Sequence, residues 1–200
     1  MIRILIICTF VLGMFALPAQ AQESGNVDKG SFTATLNPSF FALGGYSFKG
    51  FYHLPKKWSF GLAAEANFEL PEFARDQFFD NNDDITVHWD YLIGVEARYR
   101  FTDSHIDKGL HLLGTLGFEG WTISDENGNE DEFDNWYASL GVGYNWYPFK
   151  EPRFHVGASY NVIFILNNSD ERTVGQSNYN IRPVVPPSLF SPNIYLGWRF

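Results

Sequence analysis

The chain closes with Ile194-Tyr195-Leu196-Gly197-Trp198-Arg199-Phe200, and this stretch decides how the rest is read. Counting back from Phe200, every second residue (Phe200, Trp198, Leu196, Ile194) is apolar, while Gly197 and the charged Arg199 stand between them. Alternation with period two marks a β-strand with one apolar face. Outward from the tail, seven more segments repeat the pattern. From Trp58 to Leu70 the apolar face reads Trp58, Phe60, Leu62, Ala64, Ala66, Phe68, Leu70, against Ser59, Gly61, Ala63, Glu65, Asn67 and Glu69. From Ile85 to Phe101 it reads Ile85, Val87, Trp89, Tyr91, Ile93, Val95, Ala97, Tyr99, Phe101, against a face carrying His88, Asp90, Glu96, Arg98 and Arg100.

The remaining segments are shorter or less regular. Asn135 to Tyr147 sets Trp136, Ala138, Leu140, Val142, Tyr144 and Trp146 against Asn135, Ser139 and Asn145, and Arg153 to Leu166 sets Phe154, Val156, Tyr160, Val162 and Phe164 against His155, Ser159 and Asn161. Near the start, Phe32, Ala34 and Leu36 share a face, as do Tyr46, Phe48, Tyr52 and Leu54, with Pro38 and Phe40 to Leu43 between them as loop or strand tip. Leu110 to Thr122 fits least well, because Leu113 and Trp121 fall on its polar side.

Charge separates a membrane barrel from a soluble one. No Asp, Glu, Lys, Arg or His lies on the eight apolar faces, whereas the opposite faces hold Lys49, His53, Glu65, Glu69, His88, Asp90, Glu96, Arg98, Arg100, His111, Glu119, Arg153, His155 and Arg199. A soluble barrel turns its apolar face inward and its charges to water. These faces predict the reverse: an eight-stranded antiparallel up-and-down transmembrane β-barrel with charged side chains enclosed. The links alternate in length. Short turns fall at Pro55-Lys56-Lys57, at 102–108 and at 149–152, and long loops at 71–84, 123–134 and 167–191, the asymmetry of outer-membrane barrels with periplasmic turns and external loops. Tyr52, Trp58, Tyr99, Trp146, Phe154 and Trp198 near one end, and Phe68, Trp89, Phe118, Trp136 and Phe164 near the other, read as two interfacial girdles.

Composition agrees. Arg3, the apolar run Ile4 to Leu17 and Ala19-Gln20-Ala21 form a signal peptide over residues 1–21, followed by a lead at 22–29 and the barrel over 30–200. No stretch approaches the ~20 apolar residues of a membrane-crossing helix. The single cysteine, Cys8, lies in the signal, so the mature chain has no disulfide or thiolate chemistry. A net charge of −9 argues against nucleic acid as a partner, and the 18% aromatic content is high for a domain of negative mean hydropathy.

Eight strands, three short turns and a closing strand with Leu196, Trp198 and Phe200 together resemble the small OmpA/OmpX-type barrels of Gram-negative outer membranes. The resemblance covers about residues 30 to 200 and implies periplasmic termini, the stand-alone form without a periplasmic domain, and Leu196, Trp198 and Phe200 as the insertion signal read by the barrel-assembly machinery. The partners it implies are outer-membrane lipid and lipopolysaccharide.

An eight-stranded barrel is only wide enough to be filled by its own side chains, so a pore is not expected. Lys49, Glu65, Asp90, Glu96, Arg98 and Arg100 then read as an interior polar network, because buried charges must be paired. Some eight-stranded barrels act on lipid A as acyltransferases or deacylases; His88, Asp90 and Glu69 near the outer rim are the candidates for such chemistry, with no serine placed beside them. An OmpW-like conduit for small hydrophobic compounds is the other alternative, suggested by Leu92, Leu113, Trp121 and Ile163 on the inner face. Asp125, Asn127, Asn129 and Asp131 alternate like the start of a calcium loop but lack its glycine spacing and flanking helices, and a solvated hairpin tip is the simpler reading. No cofactor is expected. Pro71 to Phe79 suits a short helix that sets Phe73, Phe78 and Phe79 at the membrane surface, and the proline-rich loop 167–191 suits a cap over the barrel mouth or a surface for a protein partner. The expected role is envelope integrity or surface interaction without catalysis.

Overall fold

The computed structural model describes residues 30–80, 84–102, 107–149, 153–167, 172–186 and 193–200. The expected signal peptide, with Cys8, and the lead at 22–29 lie outside these residues.

Eight strands close into an antiparallel up-and-down barrel: β1 (Ser31–Leu36), β2 (Tyr46–His53), β3 (Trp58–Ala66), β6 (Ile85–Arg100), β7 (Gly109–Asp125), β8 (Glu130–Trp146), β9 (Phe154–Ile165) and β13 (Asn193–Arg199). Closure comes from the tail, whose Leu196 and Trp198 stand opposite Leu36 and Ala34 of the first strand and opposite Val156 and Phe154 of β9. The wall is taller on one side: β6, β7 and β8 run 16, 17 and 17 residues, whereas β1 has 6 and β13 has 7. Smaller elements sit at the long-loop end. These are α1 (Pro38–Ala42), β4 (Phe68–Glu69), α2 (Glu72–Phe78), β5 (Phe79–Asp80), β10 (Arg172–Val174), β11 (Ser177–Ile181) and β12 (Val184–Val185).

In the half nearer the short turns, alternation works as the sequence predicts. Ile93, Val95, Leu140 and Trp198 face outward and are roughly half exposed or more, while Glu96, Arg98, His111 and His155 are buried inside. On β6 the outward run from Phe101 back to Tyr91 covers ten residue steps. That is about 33 Å of strand and, at a tilt near 40°, about 25 Å along the barrel axis, the height of the apolar band of an outer-membrane barrel.

Where that band ends, the barrel changes chemistry. Ile85, Val87 and Trp89 were expected to face lipid; all three are buried in the lumen, Val87 at 0% exposure. The register with β7 slips between Trp89 and Tyr91, so Asp90 is the extra residue of a β-bulge and the two halves of β6 point opposite ways. One strand away the chain makes a matching correction, with Ala66 (φ 100°) and Asn67 (φ 69°) in the left-handed region. There the Asn67 amide donates to the Trp89 carbonyl, 2.7 Å away, and Phe68 and Leu70 turn inward with Trp89. Phe68 and Trp89 are therefore core residues and not part of the outer girdle, which keeps Trp136, Phe118 and Phe164. In β7 and β8 no bulge occurs, and the sequence itself changes face: Trp121 and Ile123 are buried while Thr122 and Ser124 point out.

Above the band the molecule is thus an ordinary water-facing barrel with an apolar core. Trp89 and Trp121 stack with ring centroids 4.9 Å apart and planes 1° from parallel. Phe40 from α1, Phe78 from α2 and Phe79 from β5 close over them. Phe78 and Phe79, expected at the membrane surface, complete this core because only the lumen shields them from water; Phe73 alone of the three is exposed, at 60%. The expected helix forms as α2, and the doubtful first hairpin resolves into α1, where Asn37 caps the amide of Ser39 at 3.0 Å and Pro38 occupies the first turn. The loop expected at 123–134 is mostly strand, since β7 and β8 continue to a tip at 126–129.

Candidate functional site

Three places hold the residues singled out from sequence. The first is the lumen below the aromatic core. Lys49 Nζ lies 3.3 Å from Glu65 and 3.4 Å from Glu96, Arg98 Nε donates to Glu96 at 2.7 Å, and Arg98 Nη1 reaches Asp107 at 3.0 Å. The Arg98 guanidinium also sits 3.7 Å from the centre of the Phe51 ring. Arg100 donates to the carbonyls of Leu54, Lys56 and Trp58 and so ties the first short turn to the lumen. Alternation puts these chains inside, and burial then demands partners. Asp90, expected in the same network, is not in it: the bulge carries it to the outer wall.

Sequence reading missed Asp107 and Tyr195 in the lumen, and it placed His53 inside without naming its partners. Asp107 is 1% exposed and binds Arg98 and the Asn145 amide, yet it sits in a segment that reads as turn. His53 is held by Ser59 and Thr33 at 2.8 and 2.7 Å, and Tyr195 donates to Asn145 at 2.7 Å; their signal was the plain inward parity of each strand. Gly143 and Gly197 also act here, because a Cβ at either place would run into the rings of His111 and His155.

The second place is the outer rim. His88 Nδ1 is 2.7 Å from Asp90 Oδ1, and the Thr122 hydroxyl donates to Asp90 Oδ2 at 2.8 Å. Glu69 stands across the strand pair from His88 and is exposed. The candidates are therefore brought together, but on the outside wall above the apolar band. The order is His–Asp–Thr, with the carboxylate in the middle. Nucleophilic catalysis needs the imidazole next to the hydroxyl whose proton it takes, and here Thr122 gives its proton to the carboxylate instead.

The third place is the loop end. Asp125 accepts from the amides of Asn127 and Asn129 and from the Asn129 side chain, at 2.9, 2.8 and 2.7 Å, which closes the hairpin tip on itself. Asp131 faces away to another partner: Arg172 Nε and Nη2 grip its two oxygens at 2.8 and 2.9 Å and Tyr179 donates at 2.6 Å. These bonds from Arg172, more than that from Tyr179, hold the Asp131 carboxyl below the usual carboxylate range. The four oxygen ligands considered for calcium do not converge, and among the described residues no three His, Cys, Asp or Glu side chains form a metal-holding group. The stretch 172–186 is a strap across the mouth. Arg172 latches it to β8, Arg182 binds Asp80 beside α2, β11 pairs with β5, and β12 pairs with the top of β9.

A closed eight-stranded wall with an outward apolar band is now in view, and the family comparison agrees with a barrel of this kind. The model of the outer membrane protein beta-barrel domain matches residues 7–182. The chain belongs to this family. Similar solved structures include the attachment invasion locus protein Ail of Yersinia pestis in complex with the heparin analogue sucrose octasulfate. It shares 13% identity over 86% of this chain and 99% of that one, with a TM-score of 0.44. The N-terminal β-barrel domain of Pseudomonas aeruginosa OprF shares 14% over 86% and 100%, with a TM-score of 0.45. No curated protein matches the chain.

Proposed function

We propose that the chain is a non-enzymatic, plugged outer-membrane barrel that acts through its wall and its external surface, in envelope integrity or surface interaction. Residues 1–21 export it, the barrel-assembly machinery reads Leu196, Trp198 and Phe200, and the short turns and both termini face the periplasm. Lys49, Glu65, Glu96, Arg98 and Arg100 are structural, and outer-membrane lipid and lipopolysaccharide surround the band. The strap and the acidic hairpin tips are the parts offered to a partner outside.

The observation that supports this reading is the Trp89–Trp121 stack with Phe40, Phe78 and Phe79 packed over it in the upper lumen. Planar-bilayer recording of the refolded protein tests it. Silence is expected, and stable conductance steps would overturn the plug and favour a conduit. The catalytic alternative is tested by lipid A mass spectra from a deletion strain, which are expected to be unchanged. A shift restored by the wild type but not by His88→Ala would make the protein an enzyme.

A further inference from the structure

The links at the loop end differ in charge. Those over 71–84, 123–134 and 167–191 all carry Asp or Glu, whereas no Asp, Glu, Lys, Arg or His occurs from Gly30 to Phe48, the stretch that holds α1. The uncharged link is nonetheless open. Phe41 is 44% and Leu43 43% exposed, and Ala42 between them is exposed as well. Three adjacent apolar side chains on a loop surface are out of place in water.

α1 stands where the wall is short. β13 begins at Asn193 opposite Ser159, although β9 runs on to Ile165, and β1 stops at Leu36. The edge of β9 above this point is taken up by β12, with Val184 opposite Phe164 of the outer girdle. Among the described residues α1 is the element that packs above Leu36, against β2 and β13. It is fastened to both. The Asn37 side-chain amide donates to Asn193 Oδ1 at 2.7 Å, and the Asn37 backbone amide donates to the Ser47 hydroxyl at 3.2 Å.

The two phenylalanines of α1 point to opposite sides of the wall. Phe40 packs on Phe68 and Trp89 in the aromatic core, with ring centroids 4.9 and 5.9 Å away. Phe41 meets Phe48 edge-on at 5.6 Å. Phe48 shares the outward face of β2 with Tyr52, and it stands opposite Ala64, which stands opposite Ile93 of the apolar band. The backbone of the link is closed on itself. The amides of Ser39, Leu43, Gly44 and Gly45 bond to the Asn37 side chain and to the carbonyls of Ser39, Phe41 and Phe40, at 3.0, 3.1, 3.1 and 2.9 Å. Water would serve such amides without help, but hydrocarbon requires that each be satisfied within the chain.

From this geometry we infer that α1 is immersed in the leaflet at the loop end, and that Phe41, Ala42 and Leu43 seat the acyl chains of its lipids where β1 and β13 fall short. Acyl chain is the occupant because the patch continues the lipid-facing band directly, through Phe41 onto Phe48, and carries no charge for a polar partner to meet. The inference rests on the membrane reading above.

The test is a comparison of quenchers. Bimane is attached at single cysteines replacing Ala42, Leu43, Val95 or Glu126 in the mature chain, which has no other cysteine, and each variant is refolded into vesicles containing brominated phosphatidylcholine or exposed to iodide. Heat-modifiable gel mobility reports insertion separately. Ala42→Cys and Leu43→Cys are expected to lose fluorescence to brominated lipid as Val95→Cys does and to resist iodide. Glu126→Cys, at the exposed hairpin tip, is expected to show the reverse. Loss to iodide but not to bromine at positions 42 and 43 refutes the acyl-chain seat, while position 95 still reports a membrane barrel. Shielding from both quenchers also refutes it, since protein, whether a second copy or another part of the chain, would then cover the helix. If position 95 itself escapes the brominated lipid, the membrane reading fails together with the seat.

Discussion

A lysine walked along β6 separates the bulged barrel from a strand of unbroken alternation. Val87 and Val95 share sequence parity, yet Val87 is fully buried in the upper lumen and Val95 is 54% exposed on the apolar band. Val95→Lys places a charge in lipid and is expected to cost about 2–4 kcal/mol. Val87→Lys leaves an unpaired charge in an aromatic core, for roughly 3 kcal/mol or more. Thr86 decides between the models. It is exposed above the band, so Thr86→Lys is expected within ~0.5 kcal/mol of the wild type. Without the bulge it would point into the lumen and would cost as much as Val87→Lys. Reversible denaturant unfolding in vesicles measures all three. Bimane labels at single cysteines give an independent reading, with brominated lipid quenching position 95 but not position 87. Equal quenching at both, or a Thr86→Lys penalty matching that of Val87→Lys, would refute the change of face.

Three other outcomes follow from the same geometry. Arg98→Met leaves Glu96 with Lys49 alone and Asp107 without a cation, and is expected to cost roughly 3–5 kcal/mol, with part recovered when Glu96→Met is added, as measured in the same unfolding assay. Trp121→Ala removes half of the central stack and is expected to cost about 3–5 kcal/mol; planar-bilayer recording of this variant reports whether the plug alone closes the lumen. The strap is expected to loosen in acid. Because Arg172 lowers the Asp131 carboxyl in the folded state, that contribution is complete above the unfolded value of about 4 and disappears as pH falls through the folded one, so the protection of β10 and β11 amides relative to their intrinsic exchange rates should fall there. Asp131→Asn should show the low protection already at neutral pH, with no further fall in acid.

The lower storey was legible because one rule governs it: lipid outside, paired charges inside, period two between them. Lys49 with Glu65 and Glu96 with Arg98 could be paired from parity alone. The upper storey was misread on β6 for a physical reason. Above the band water replaces lipid, so apolar residues belong inside; the bulge at Asp90 also reverses which parity points inside. The two reversals cancel, and Ile85 to Phe101 reads as one uninterrupted apolar face although its upper third looks the other way. Ala66 and Asn67 produce the same cancellation before Phe68 and Leu70. Strand β7 has no bulge, so only the solvent reverses, and the change is visible as Trp121 and Ile123 breaking the pattern set by Leu112 and Leu116. The segment that fitted worst therefore carried the signal for the storey boundary, and the neighbouring strand that fitted best had hidden it. The same reversal moved His88 and Asp90 from the lumen to the outer wall, away from any enclosed site. A lipid-facing barrel whose strands outgrow the bilayer must make this change of face in every long strand, either by slipping the backbone or by exchanging the residues. β6 and β7 stand side by side and take one route each.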